Sequence, residues 1–355
     1  MNLVRHVQDI PADVLAVLRR GTVIPAHLLA LDAGRRLDVR RQRALTRYYL
    51  DAGAGGIAVG VHATQFAIRD AGLYEPVLRL ARDAVADHAG RPIVLIAGLA
   101  GPTAQARREA ETARELGYHA GLLSLGAMRG ASEDELVAHC LAVSRVMPLV
   151  GFYLQPAVGG IELSTGFWRR FAQLENVVAI KVAPFNRYRT LDVVKGVVAA
   201  AAEERVALYT GNDDHIVPDL LTPFVVRRGD ADVTVRIKGG LLGHWSVWTR
   251  SAVQLLERLH AAVERGALDP ELLALDAKVT DANAAFFDVA NGFRGCIAGC
   301  HEVLRRQGLF AGVWCLDPSE GLSPGQAEEI TRVMAAYPEF DDTPFVRAGL
   351  ERWLA

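Results

Sequence analysis

Cysteine is scarce: Cys140, Cys296, Cys300 and Cys315 are the four in 355 residues. That is too few for a disulfide scaffold in a chain of this size. Lysine is as rare, with Lys181, Lys195, Lys238 and Lys278 the whole set and arginine supplying the rest of the 39 basic residues. Each lysine stands out because of this bias. Charge of one sign is missing too. A net charge of −2 and the lack of a long basic run argue against a phosphate backbone as partner. No apolar run reaches the ~18 residues that cross a bilayer. Residues 1–20 read as a short helix without an apolar signal core, so a soluble, cytoplasmic protein with no membrane partner is expected. What remains is 51% hydrophobic and 23% charged, a globular composition able to bury a large core.

Short β-branched runs alternate with amphipathic stretches, the pattern of a parallel α/β fold. Strands are expected at Thr22–Leu29, Gly56–Gly60, Pro92–Gly98, Ala120–Ser124, Leu149–Leu154, Val177–Val182, Val206–Thr210 and Val235–Gly240. Helices are expected near 38–52, 72–88, 103–116, 132–146, 163–173, 190–203 and 244–264. Ser132 and Glu135 form a capping box for the fourth helix, and Gly53 and Gly117 stand at helix C-caps. Eight such units over residues 21–264 match a (β/α)8 TIM barrel, which takes about 250 residues. A doubly wound sheet would leave two strands over, and Thr22–Asp32 holds no GxGxxG. Residues 265–355 read as a C-terminal helical extension of three or four helices packed on the barrel, broken at Asp317–Gly325.

Chemistry in a barrel sits at the C-terminal ends of the strands. In Val177-Val178-Ala179-Ile180-Lys181-Val182-Ala183, Ile180 and Val182 share one face while Ala179, Lys181 and Ala183 share the other. The branched set suits the helices, which turns Lys181 inward among small residues. Burial there favours the neutral amine that imine formation needs. The rival reading is a lysine neutralised by a buried carboxylate or reaching solvent. Lys238 in Arg236-Ile237-Lys238-Gly239 is the competing lysine, on the eighth strand and expected at the barrel mouth. Tyr153 shares parity with Gly151 and Leu149, so its phenol is expected to point inward as an acid, base or proton relay; the alternative is a core tyrosine.

Gly60-Val61-His62-Ala63-Thr64-Gln65 follows the second strand, where successive backbone N–H groups can hold an anion and His62 can act as acid, base or donor. Asn212-Asp213-Asp214-His215 reads as a helix N-cap with early acids. Cys296 and Cys300, four apart and followed by His301, read as small residues packing on a helix rather than as a metal pair. Without H-x-H or H-E-x-x-H, a metal-assisted hydrolase is the weaker alternative.

Lys181 in VVAIKVA, Tyr153 and Pro156 in FYLQPA, Gly56–Gly60 in GGIAVG and Gly98 ending the third strand together resemble the dihydrodipicolinate synthase / N-acetylneuraminate lyase family. The resemblance runs from about Gly21 to Leu309. It implies a TIM barrel with C-terminal helices, a homodimer or homotetramer, and no cofactor. It implies also a class I, Schiff-base-forming aldolase or lyase, or a related dehydratase, acting on pyruvate or another small 2-oxo acid. Lys181 is then the imine-forming lysine, Tyr153 the relaying phenol, and His62 the third catalytic candidate. Gly60, Val61 and His62 form the carboxylate cradle, with Gly240 added to the substrate-binding set.

The departures carry weight. The family's G-T-T-G-E reads Gly60-Val61-His62-Ala63-Thr64, without the threonine hydroxyls. The synthase arginine has no counterpart in Ala157-Val158-Gly159-Gly160, and the paired tyrosines after the fourth strand are replaced around Ala127-Met128. Arginine is the natural clamp for a second carboxylate, so condensation with aspartate semialdehyde is not expected. A barrel that binds its ligand without turnover is the other alternative.

Overall fold

In the computed structural model, which describes residues 4–355, eight parallel strands close into a barrel. They are β1 (Val23–Pro25), β2 (Gly56–Val59), β3 (Val94–Leu99), β4 (Ala120–Leu123), β5 (Leu149–Leu154), β6 (Val177–Ala183), β7 (Ala207–Thr210) and, after a hairpin of β8 (Phe224–Arg228) and β9 (Ala231–Val235), β10 (Ile237–Leu242). The order β1-β10-β7-β6-β5-β4-β3-β2 is closed by a parallel bridge between Ala26 and Ala58. The TIM barrel expected from the sequence is therefore the fold. The first strand is shorter than expected because Pro25 has no N–H to continue its ladder.

Helices α2 (Val39–Ala52), α3 (Tyr74–His88), α4 (Thr103–Glu115), α5 (Glu133–Ser144), α6 (Thr165–Gln173), α7 (Arg187–Ala199), α8 (Ile216–Leu221) and α9 (Thr249–Arg265) follow the strands. The Ser132–Glu135 capping box opens α5, and Gly53 closes α2 in the left-handed region at φ 102°. The expected N-terminal helix is present as α1 (Ala12–Arg20), shorter than residues 1–20 and preceded by a single turn at Val7–Asp9; residues 1–3 lie outside the described residues. Val14 and Leu18 of α1 join the apolar cluster inside the barrel, and the Tyr209 hydroxyl donates to the Leu18 carbonyl at 2.8 Å. This closes the N-terminal end.

Two elements escaped the sequence reading. One is α8, a short helix of six residues. The other is the β8–β9 hairpin, turned at Gly229-Asp230 with Gly229 at φ 61°, a two-residue turn that glycine favours.

The extension supplies α10 (Pro270–Phe286), α11 (Cys296–Gln307), α12 (Gln326–Ala336) and α13 (Thr343–Leu354). Asp342, just before α13, accepts from the Tyr48 hydroxyl at 2.6 Å and from the Arg250 and Ser251 amides at 2.7 and 3.1 Å. Trp353 packs its ring on Tyr48. The tail is thus bound to α2 and α9 of the barrel wall.

Candidate active site

Strand alternation divides the core in two. Ala179 and Ala183 of β6 belong to the cluster inside the barrel, and Ile180 and Val182 to the layer under the helices. Lys181 shares the inward face, as its neighbours' sizes indicate. It lines a cavity with about 80 Å³ open to water-sized molecules, room for several waters or a small acid. The Lys181 side chain is partly accessible, and its opening is to this cavity. Its Nζ lies 4.6 Å from the centroid of the Phe152 ring. No hydrogen-bond or ion-pair partner reaches it among the described residues. Burial lowers its pKa, while the charges of Asp213 and the Cys296 thiol oppose that shift.

Tyr153 requires correction. It is paired with Val182 and belongs to the layer under the helices. Its ring meets Trp168 at 5.5 Å, and its hydroxyl accepts from the Leu163 amide at 3.2 Å and donates to the Leu163 carbonyl at 3.3 Å. Gly151 is small to admit Phe171 and Trp168 from α6, not to open the barrel. The inward set of β5 is Val150, Phe152 and Leu154, so the residue opposite Lys181 is Phe152.

Val61 and His62 line the cavity. The amides of Val61, His62 and Ala63 open the turn His62–Thr64, where the first N–H groups have no acceptor within the turn. Gly60 itself is not part of the lining. Its φ of 77° bends the chain, and its N–H is already committed to Thr64 Oγ1 at 2.9 Å. Arg69 holds this bend, donating to the carbonyls of Gly60 and Gly98 at 3.2 and 3.0 Å and pairing with Glu109 at 2.8 Å. Burial, then the Lys181 charge, pushes His62 down to about 4, so the imidazole meets a ligand uncharged. Gly240 is also displaced from the site: a side chain there would strike Trp245 in the helix layer.

Lys238 is not at the mouth. It is exposed near the start of β10, beside Gly21 at the opposite end of the barrel, and its carbonyl accepts from His260. Lys278 pairs with Glu339 at 2.7 Å.

The cavity also contains residues that sequence reasoning missed. Asp213 does not cap α8; it lines the cavity, and its Oδ1 is closed to solvent without a hydrogen-bond partner among the described residues. Burial raises its pKa, against the Lys181 charge. Its neighbour Asn212 is a buried link, accepting from the Phe185 amide at 3.0 Å and donating to Asp219 at 2.9 Å. The extension roofs the cavity with Phe287, Phe293, Cys296, Ile297 and Cys300. Phe185 and Phe293, in contact at 6.1 Å, both have positive φ, 51° and 67°, an uncommon state for bulky residues. Among the described residues, no group of three or more His, Cys, Asp or Glu is arranged to hold a metal ion, and no helix is long and apolar enough to cross a membrane.

Residues 20–335 match the model of the Dihydrodipicolinate synthetase family. A 4-hydroxy-tetrahydrodipicolinate synthase of Bifidobacterium longum is 26% identical over 206 residues, 56% of this chain and 63% of that protein. The match therefore spans less than two thirds of that curated relative. Among solved structures, dihydrodipicolinate synthase of Cyanidioschyzon merolae with lysine bound is similar in fold, with a TM-score of 0.74 and 18% identity over 91% of this chain and all of that one. CdNal of Clostridium difficile, in complex with mannosamine, gives 0.72 and 16% over 89% and 99%.

Proposed function

The chain belongs to the dihydrodipicolinate synthetase family, and we propose that it is a Schiff-base-forming lyase or aldolase, or a related dehydratase, acting on pyruvate or another small 2-oxo acid. The observation that carries this reading is the Lys181 amine, which lines a small cavity and has no hydrogen-bond or ion-pair partner among the described residues. Desolvation lowers its pKa and so raises the fraction present as the neutral nucleophile. The amides opening the turn after β2 are the donors for the substrate carboxylate, with His62 beside them as an uncharged donor or acceptor.

The second reactant differs from aspartate semialdehyde. Among the described residues, no arginine lines the cavity and Lys181 is its one basic side chain of lysine or arginine type. A second carboxylate brought among Phe152, Leu154, Phe185 and Phe293 would go unpaired, at a cost of several kcal/mol. An uncharged, apolar aldehyde fits these walls.

The test is incubation with pyruvate and borohydride, followed by mass spectrometry and peptide mapping. One reduced adduct on Lys181 is expected, and Lys181→Ala should lose both adduct and turnover while keeping its circular dichroism. An adduct on Lys238, or full activity in Lys181→Ala, overturns the reading.

A further inference from the structure

An imine at Lys181, on which this inference rests, needs a proton carrier, and among the described residues no phenol lines the cavity. Tyr153 faces the helices and Phe152 holds the inward position. The lining side chains able to carry a proton are Lys181 itself, His62, Asp213, Cys296 and Cys300. Burial pushes both thiols well above the ordinary thiol range, so thiolate is scarce near neutrality. His62, pushed down to about 4, is a weak base. Asp213 remains. Its Oδ1 is closed off from solvent and has no hydrogen-bond partner among the described residues, a state that in native proteins calls for a reason. The loop that carries it is fixed, because Asn283 of α10 donates to the Asp213 carbonyl at 2.6 Å.

We propose that Asp213 is the general acid and base of the reaction at Lys181, doing from the seventh strand what a phenol on the fifth would otherwise do. As the neutral amine adds to C2 of the 2-oxo acid, the Asp213 carboxylic acid gives its proton to the carbonyl oxygen. One amine proton then moves to that hydroxyl, water leaves, and a protonated imine stands beside the Asp213 carboxylate. The carboxylate next removes a proton from C3, which leaves a neutral enamine and restores the carboxylic acid. In the return direction the same proton goes back to C3.

The test separates the imine from the proton transfer. Wild-type protein and Asp213→Asn are given pyruvate in D2O. Exchange at C3 is followed by NMR, and the lysine adduct by borohydride trapping at equilibrium. Asp213→Asn is expected to keep the adduct on Lys181 and to lose exchange by roughly 10²-fold or more, the range for a positioned acid or base. Asp213→Glu should recover part of the exchange. Exchange that persists in Asp213→Asn with the adduct present overturns the assignment to Asp213, as does exchange lost in His62→Gln but kept in Asp213→Asn. Absence of any adduct in the wild type defeats the Lys181 reading instead. If Asp213→Asn does not fold, Asp213→Ser carries the same comparison.

Discussion

Gly211 and Lys181 fit together only because the glycine has no side chain: a Cβ at position 211 would lie 2.5 Å from Lys181 Cε and 2.8 Å from the Ala183 Cβ. The Ala183 side is fixed to a strand, so an added methyl must displace the lysine stem. Gly211→Ala is expected to cut the rate of adduct formation by roughly 10²-fold, the scale of a misplacement near 1 Å. Thermal melting should stay within a few degrees, since the lysine tip can move. Trapping kinetics with pyruvate check it, and an unchanged rate would show that the amine has more freedom than these contacts allow.

Tyr153→Phe should barely affect chemistry. Its hydroxyl serves the Leu163 amide and carbonyl outside the barrel, so turnover is expected within about threefold of the wild type. Stability should fall by about 1–2 kcal/mol, because a buried amide loses its acceptor. Urea unfolding beside steady-state kinetics reads both effects. A large loss of kcat at unchanged stability would return the phenol to the reaction.

The contrast between Lys181 and Tyr153 explains what could be read from the sequence. On β6 the two faces differ in size, alanines against isoleucine and valine, so alternation alone gave the inward set. On β5 both faces are apolar, as is usual for a parallel strand buried on both sides. One glycine could then be read as a gap on either face, and the structure gives it to α6. Asp213 was hidden for another reason: Asn-Asp-Asp-His ahead of a helix is also what an N-cap looks like. The roof from Phe287 to Cys300 comes from a tail whose helices were legible but whose docking was not, because periodicity does not say which strand ends a helix will cover.

Acid should weaken the fold well above the pH at which carboxylates titrate. Burial pushes His27, His62, His119, His244 and His301 each down to about 4, with the Lys181 charge adding to the shift at His62. In the unfolded chain such groups protonate near 6.5, so between about 6.5 and 4 the unfolded state binds more protons. Stability therefore rises with pH across that window and falls as pH drops through it. Asp342, raised by burial to about 6, and Asp213, also raised, act in the opposite sense: held protonated in the fold, they favour it at low pH. Asp214, Asp276 and Glu320 are raised by burial as well and His139 is lowered, but the large shifts belong to five histidines against Asp213 and Asp342, and urea midpoints should fall from pH 6.5 to 4.5. A flat or rising midpoint over that range would contradict the burial of these rings.

Arg69 acts on the site without lining it. Its guanidinium spans the carbonyls of Gly60 and Gly98 while Glu109 holds its other edge, and Glu109 also accepts from the Ala100 amide at 3.0 Å. The bend at Gly60 sets the course of Val61, His62 and Ala63, which line the cavity, so losing this fork should loosen the proposed carboxylate site while Lys181, on the far strand, keeps its place. Arg69→Lys retains the charge but not the planar fork. The expected result is a KM for the 2-oxo acid raised about tenfold with kcat within about threefold, the pattern of lost uniform binding. Stability should drop by about 1–3 kcal/mol, since the buried carbonyls and carboxylate lose partners. A kcat that falls while KM holds would mean that Arg69 shapes the lysine's surroundings rather than the substrate's anchor.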